Sequence, residues 1–178
     1  MLSRVAERKA DGRTYAGALV TIDRVHHEIH EGEHYFVART TAAASATDVM
    51  CLVLTTPATK KIHYTGSFGG SGAIVKTLVE NPTLGAASKA ALVEFNSDRS
   101  STKAATLVAI KISSTDISAG TTLEKVVLGG GLQGRTGGSQ AAREELILKQ
   151  AEDYAILIES NAASNNIAFL GTWYEEST

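Results

Sequence analysis

The sequence predicts an all-β protein, an antiparallel β-sandwich or jelly-roll-like single domain that carries an N-terminal arm. Three observations lead there. Short runs rich in Val, Ile, Leu, Thr and Tyr recur from residue 14 onward, separated by clusters of Gly, Ser, Asn and Thr. Several runs place an apolar residue at every second position, the period of a half-buried strand. Ala73-Ile74-Val75-Lys76-Thr77-Leu78-Val79-Glu80 and Thr106-Leu107-Val108-Ala109-Ile110-Lys111-Ile112 are examples. The gaps between runs hold turns rather than crossover helices, which favours a sandwich over βαβ units.

In chain order, residues 1–15 come first. They are charged, with Arg4, Arg8, Lys9 and Arg13 among little apolar surface, and they read as an arm. Candidate strands follow at residues 18–22, 34–40, 49–55, 61–67, 73–80, 90–95, 106–112, 123–127, 144–148, 154–159 and 167–174. Turn compositions separate them at Ser67-Phe68-Gly69-Gly70-Ser71-Gly72, Ile117-Ser118-Ala119-Gly120-Thr121 and Asn161-Ala162-Ala163-Ser164-Asn165-Asn166. One stretch competes. Ser139 could cap a helix running through Ala141, Ala142, Arg143, Glu144 and Glu145, although the following Leu146-Ile147-Leu148 fits a strand. The sandwich domain then spans residues 16–178, with no internal repeat and no second domain.

A chain of 178 residues suits one domain, which buries roughly two-thirds of its unfolded surface without metal or disulfide staples. Its 17 basic and 19 acidic residues leave a net charge of -2, so electrostatics give no case for nucleic acid. Cys51 lies in the apolar run Val49-Met50-Cys51-Leu52-Val53-Leu54 and is expected to be a buried small hydrophobe. As the single cysteine it forms no intrachain disulfide and no cysteine metal cluster. No run approaches the ~20 apolar residues of a membrane helix. The first eleven residues lack the apolar stretch of a signal peptide, so synthesis in the cytoplasm is expected.

Two motifs imitate catalytic sites. His30-Glu31-Gly32-Glu33-His34 has the letters of H-E-x-x-H, which works when both histidines share a helical face, bind zinc and leave the Glu to activate water. Gly32 stands in the middle of that would-be helix, and Tyr35-Phe36-Val37 continues as strand. The reading preferred here is strand, tight turn at Glu31-Gly32-Glu33, then strand, with His30 and His34 near each other across a hairpin mouth. Such histidines ordinarily bond to backbone or carboxylate partners. Gly129-Gly130-Gly131-Leu132-Gln133-Gly134-Arg135-Thr136 nearly spells a phosphate-binding loop, but Arg135 stands at the lysine position. Arginine does not readily replace the compact lysine charge, and neither a parallel sheet nor a later metal-binding Asp is evident. No Ser nucleophile elbow occurs, and Ser and Thr are scattered as on exposed strands and turns.

The segment Ile22-Asp23-Arg24-Val25-His26-His27-Glu28-Ile29-His30-Glu31-Gly32-Glu33-His34-Tyr35 resembles the N-terminal signature of a family of tailed-phage virion proteins described as structural or head-decoration proteins. Val79-Glu80-Asn81-Pro82-Thr83 resembles the family's strand ending in Glu-x-Pro-Thr. Asn96-Ser97-Asp98-Arg99-Ser100-Ser101 is similar to its asparagine-arginine loop, with Asp98 as a departure. Leu146-Ile147-Leu148-Lys149 with Tyr154 resembles its late hairpin, with Gln150 in place of a proline. Trp173-Tyr174-Glu175-Glu176 looks like its closing motif.

The resemblance covers residues 16–176 in order and implies a β-rich virion component without catalytic residues or cofactors. The expected function is capsid decoration: a homotrimer that binds the major capsid protein on the outside of the assembled head. Neither nucleic acid nor membrane is an expected partner. Expected contact residues are Arg4, Arg8, Lys9 and Arg13 of the arm, His26, His27, His30 and His34, and Asp98 with Arg99. Another virion part, such as a head-fibre base or a tail protein, is the second reading. A zinc-dependent hydrolase built on the histidines is the third.

Overall fold

The computed structural model describes residues 24–43, 45–86, 89–129 and 145–177. One short helix, α1 (Arg24–His30), precedes the strands β1 (His34–Ala43), β2 (Val49–Thr55), β3 (Lys60–Gly70) and β4 (Ile74–Glu80). Five short elements follow: β5 (Thr83–Leu84), β6 (Ala90–Ala91), β7 (Phe95–Asn96), β8 (Val108–Lys111) and β9 (Ile117–Ser118), with one 3-10 turn at Ser114–Asp116. The chain closes with β10 (Thr121–Leu128), β11 (Leu146–Leu148), β12 (Asp153–Ser160) and β13 (Asn165–Ser177).

These strands form a five-stranded sheet, β11-β3-β13-β1-β7, and a six-stranded sheet, β10-β4-β12-β2-β8-β6. The main strands alternate between the sheets from β1 to β4 and again from β10 to β13. They also pair in nested fashion, first with last: β1 with β13, β2 with β12, β3 with β11 and β4 with β10, all antiparallel. That folded-over ribbon is the jelly-roll arrangement, so the predicted all-β sandwich is the observed fold.

The inner faces of both sheets meet in one core. Tyr35, Ile62, Tyr64, Phe169 and Trp173 come from the five-stranded sheet, and Leu52, Leu54, Leu78, Ile156 and Ile158 from the six-stranded one. Each such side chain contributes about 1.5–3 kcal/mol by leaving water. Gly66 of β3 lies opposite Gly171 of β13, and the rings of Tyr64, Phe68 and Phe169 lie over the space that Cβ atoms would take.

A second cluster explains why residues 49–54 are continuously apolar. Cys51, Val53, Val79, Ile112 and Ala155 point away from the main core and are covered by Leu84 and Ile117 of the β5–β9 ribbon. The excursion between β4 and β10 thus roofs the outer side of the six-stranded sheet. A strand covered on both faces has no reason to alternate. Burial pushes the Cys51 thiol up to about 12, so it stays protonated and unreactive.

Several boundaries differ from expectation. Residues 90–95 are not one strand: β6 joins the six-stranded sheet and β7 the five-stranded one, so the chain changes sheets between them. Gly69 and Gly70, expected in a turn, extend β3, and β13 runs three residues past Tyr174. Residues 106–112 narrow to β8. The arm at 1–15, the candidate strand 18–22, the glycine-rich stretch from 130 to 136 and the competing segment up to Glu144 lie outside the described residues.

The register defines two ends of the sandwich. One gathers the start of β1, the β2–β3 and β11–β12 turns and the ends of β4 and β13, through the pairs His34↔Tyr174, Lys60↔Ser177, Thr55↔Asp153 and Glu80↔Tyr154. The opposite end gathers the end of β1 and the β3–β4 and β12–β13 turns, through Ala43↔Asn165, Gly70↔Ile167 and Ile74↔Ser160. They are called here the histidine end and the asparagine end.

Candidate interaction site

The predicted hairpin at the histidines is replaced by a helix and a cap. Arg24–His30 is α-helical, and Gly32 is the left-handed residue just beyond it, at φ 70°. The Gly32 N–H donates to the Ile29 carbonyl at 3.0 Å, and the Glu33 N–H donates to the Glu28 carbonyl at 2.9 Å. This pair of bonds is the Schellman motif, which glycine serves because it lacks a Cβ. A Cβ on Gly32 would also strike the Ser101 hydroxyl. The same glycine that read as a hairpin turn therefore stops a helix. His30 is the last helical residue and His34 the first of β1, so they do not share the helical face that H-E-x-x-H requires.

His30 instead meets His26 one turn back. Their Nε2 atoms lie 3.0 Å apart, and the ring centroids are 4.5 Å apart with the planes 82° from parallel. His27 is exposed, with Nδ1 3.9 Å from the Glu28 carboxylate. Among the described residues, no three His, Cys, Asp or Glu side chains gather as a metal site.

His34 is held from across the sheet. Its Nδ1 lies 2.6 Å from Ser97 Oγ, and its carbonyl accepts from the Ser97 N–H at 2.9 Å. Burial holds the His34 imidazole below its ordinary range, favouring the neutral ring. The two bonds continue the β1–β7 pairing of Tyr35 with Asn96 and Phe36 with Phe95. The Asn96 side chain donates to the Gly32 carbonyl at 2.8 Å and accepts from the Asp98 N–H at 2.9 Å. Asp98 in turn accepts from the Ser100 backbone at 2.9 Å and the Ser100 hydroxyl at 2.7 Å. Those bonds, with a lesser contribution from His30, hold the exposed Asp98 carboxyl below its usual range. Arg99 lies 5.2 Å over the Phe95 ring, which stacks on Phe36. The structure thus brings His26, His27, His30, His34, Asp98 and Arg99 to one end of the molecule. Arg4, Arg8, Lys9 and Arg13 lie outside the described residues.

A buried ionic strut supports this surface, and sequence reasoning missed it. Glu175 is fully buried and accepts from the Thr106 N–H at 2.7 Å, the Thr106 hydroxyl at 2.6 Å, the Leu107 N–H at 3.1 Å and the Trp173 indole at 3.3 Å. Lys60 bridges it to Glu33, at 3.1 and 2.9 Å. Lys103 closes the chain on Glu33 at 2.8 Å and on the Glu31 carbonyl at 2.8 Å. Burial alone would raise the Glu33 pKa, but the bonds from Lys103 and Lys60 outweigh it and hold the carboxyl below its ordinary value. Burial would likewise lower Lys60, and its bonds to Glu33 and Glu175 raise it instead. A signal did exist: Ile167, Phe169, Gly171, Trp173 and Glu175 share one face of β13, so the alternation runs on to an inward carboxylate that must find partners.

Two further clusters complete this end. Glu80 accepts from Lys149 at 2.7 Å and the Tyr154 hydroxyl at 3.0 Å, while that hydroxyl accepts from the Lys149 N–H at 2.8 Å. On the outer face of the five-stranded sheet, His63 is stacked on Tyr174 at 4.3 Å. Its Nδ1 faces Glu145 and its Nε2 lies 3.2 Å from Glu176.

The fold and site define a class, an antiparallel jelly-roll sandwich with a charge-braced histidine surface at one end. No protein-family model matches the chain, and neither a curated protein nor a solved structure matches it. No helix among the described residues is long and apolar enough to cross a membrane.

Proposed function

We propose that this protein decorates the capsid of a tailed phage, binding the outside of the assembled head as a homotrimer with the histidine end towards the major capsid protein. One observation carries the reading. The five segments that resemble the virion family are scattered through the sequence, yet all contribute to the histidine end. The His26–Tyr35 segment, the Asn96–Ser101 loop and the closing Trp173–Glu176 motif interlock there through Glu33, Asn96 and Glu175. The Glu80 and Lys149–Tyr154 motifs meet at the same end.

A shared motif set concentrated at one end, part of it buried support and part of it surface, favours a common binding partner there, whereas a shared core alone would spread it along the strands. Jelly rolls serve many functions, so the fold by itself argues for none. In a trimer, modest contacts to several capsid subunits add through effective concentration. The role is structural and needs neither cofactor nor catalysis.

Co-sedimentation tests it. Purified protein mixed with expanded, undecorated heads should pellet with them in stoichiometric amounts, and H27A/R99A should reduce the pelleted fraction. Protein that stays in the supernatant overturns decoration, and pelleting with isolated tails instead moves it to another part of the virion.

A further inference from the structure

We propose that His26 and His30 form a bidentate site for a divalent transition-metal ion on the exposed side of α1. Residues four apart on a helix are neighbours, which brings the two imidazoles onto one face. Their Nε2 atoms are 3.0 Å apart while the ring centroids are 4.5 Å apart, so the rings converge on their Nε2 ends. An ion at about 2.0–2.1 Å from both nitrogens would subtend an angle of roughly 90°. That is the cis angle of tetragonal or octahedral coordination and is narrower than the tetrahedral angle zinc prefers.

The two Nε2 atoms already lie within hydrogen-bond distance of each other. Loading the ion requires that each ring carry its proton on Nδ1 and that the rings turn slightly about their side-chain bonds, so that both Nε2 lone pairs face the ion rather than each other. Both side chains are exposed, so the ion keeps water in its remaining positions and no charge is buried. The helix is fixed for the purpose. Its C-terminus is locked by the Gly32 cap, and the Glu33 that follows is clamped by Lys60 and Lys103. Little ordering remains to be done when the ion arrives. Imidazole pairs of this angle favour Cu²⁺ and Ni²⁺ over Zn²⁺.

The site lies on the surface proposed to face the shell, but it does not rest on that reading and is tested without heads. Calorimetric titration of the full chain with NiCl₂ should give one site per chain. His26→Gln and His30→Gln should each weaken it by roughly a hundredfold, the advantage an intramolecular second contact confers. His27→Gln, on a different face of α1, and His63→Gln, on the β-sheet, should leave it unchanged. All four substituted proteins should keep the circular dichroism of the parent. With Cu²⁺, electron paramagnetic resonance should report two equivalent nitrogens. Absence of a site in the parent chain, or affinity insensitive to His26→Gln and His30→Gln, overturns the proposal. So does loss of the site with His63→Gln.

Discussion

At the histidine end the strand termini are tied by charge, with Glu175, Lys60, Glu33 and Lys103 forming a chain from the core to the surface. At the asparagine end the same task falls to neutral groups. Asn165 is fully buried; its amide donates to Ser160 Oγ at 3.0 Å and to the Ala73 carbonyl at 3.2 Å. Its carbonyl oxygen accepts from the Gly72 N–H at 2.7 Å and the Ser71 hydroxyl at 3.0 Å. The two devices hold the ends of a sandwich equally well in geometry, but they differ in cost. A buried carboxylate deprived of its partners is far more expensive than a buried amide, and only the ionic device responds to pH. Placing a buried ion-pair chain at the histidine end makes sense when that end must also present polar side chains outward.

The largest expected effect follows directly. Glu175→Ala removes one of the two carboxylates that Lys60 bridges and leaves the Thr106 and Leu107 N–H groups unsatisfied, and should cost about 3–5 kcal/mol in urea unfolding. A cost no greater than that of Asn165→Ala would erase the distinction between the ends. Asn165→Ala itself should cost about 2–3 kcal/mol, since four neutral hydrogen bonds are lost from a buried site. Gly32→Ala comes next, at about 1–2 kcal/mol for the left-handed backbone and the crowding against Ser101, read as a lowered Tm.

How much of this was legible in the sequence depends on the range of the interactions. Alternation marked the strands from 34 onward, because the period of two is a local property that a sandwich core preserves. At residues 49–54, where the β5–β9 ribbon covers the second face, a continuous apolar run marked the strand instead; the expectation failed at residues 90–95, where the chain changes sheets. The conformation of the histidine segment differs from expectation for a local reason: glycine at a hairpin turn and glycine at a helix C-terminus both need positive φ. Their distinction lies in which carbonyls receive the next N–H groups. Asp98 and Arg99 were chosen separately from the histidines, and the β1–β7 pairing that joins them is a long-range contact no spacing encodes. Glu175 was missed because the last strand was ended at Tyr174, one residue before the inward carboxylate.

The smallest effects are those of pH, and they too separate the ends. Glu33 has its folded pKa depressed, so its contribution is present above the ordinary glutamate pKa and lost as pH falls below about 4. Lys60 is raised, so its contribution is full below its ordinary pKa and fades only when pH rises past about 10.5. His34 is depressed by burial; the unfolded chain takes up its proton first, and stability declines as pH falls below about 6.5. Hydrogen exchange at pH 7 and pH 5 should therefore show faster opening at Tyr35 and Ser97 in acid, with the Asn165 region unchanged. Equal acceleration at both ends would contradict this assignment.

The most direct test of the account is an electron-microscopy reconstruction of heads to which the purified protein has been added. The account predicts trimeric density on the outer shell, oriented so that α1 and the Asn96–Ser101 loop face the major capsid protein. Density with the asparagine end against the shell, or a shell with no added density, would contradict it.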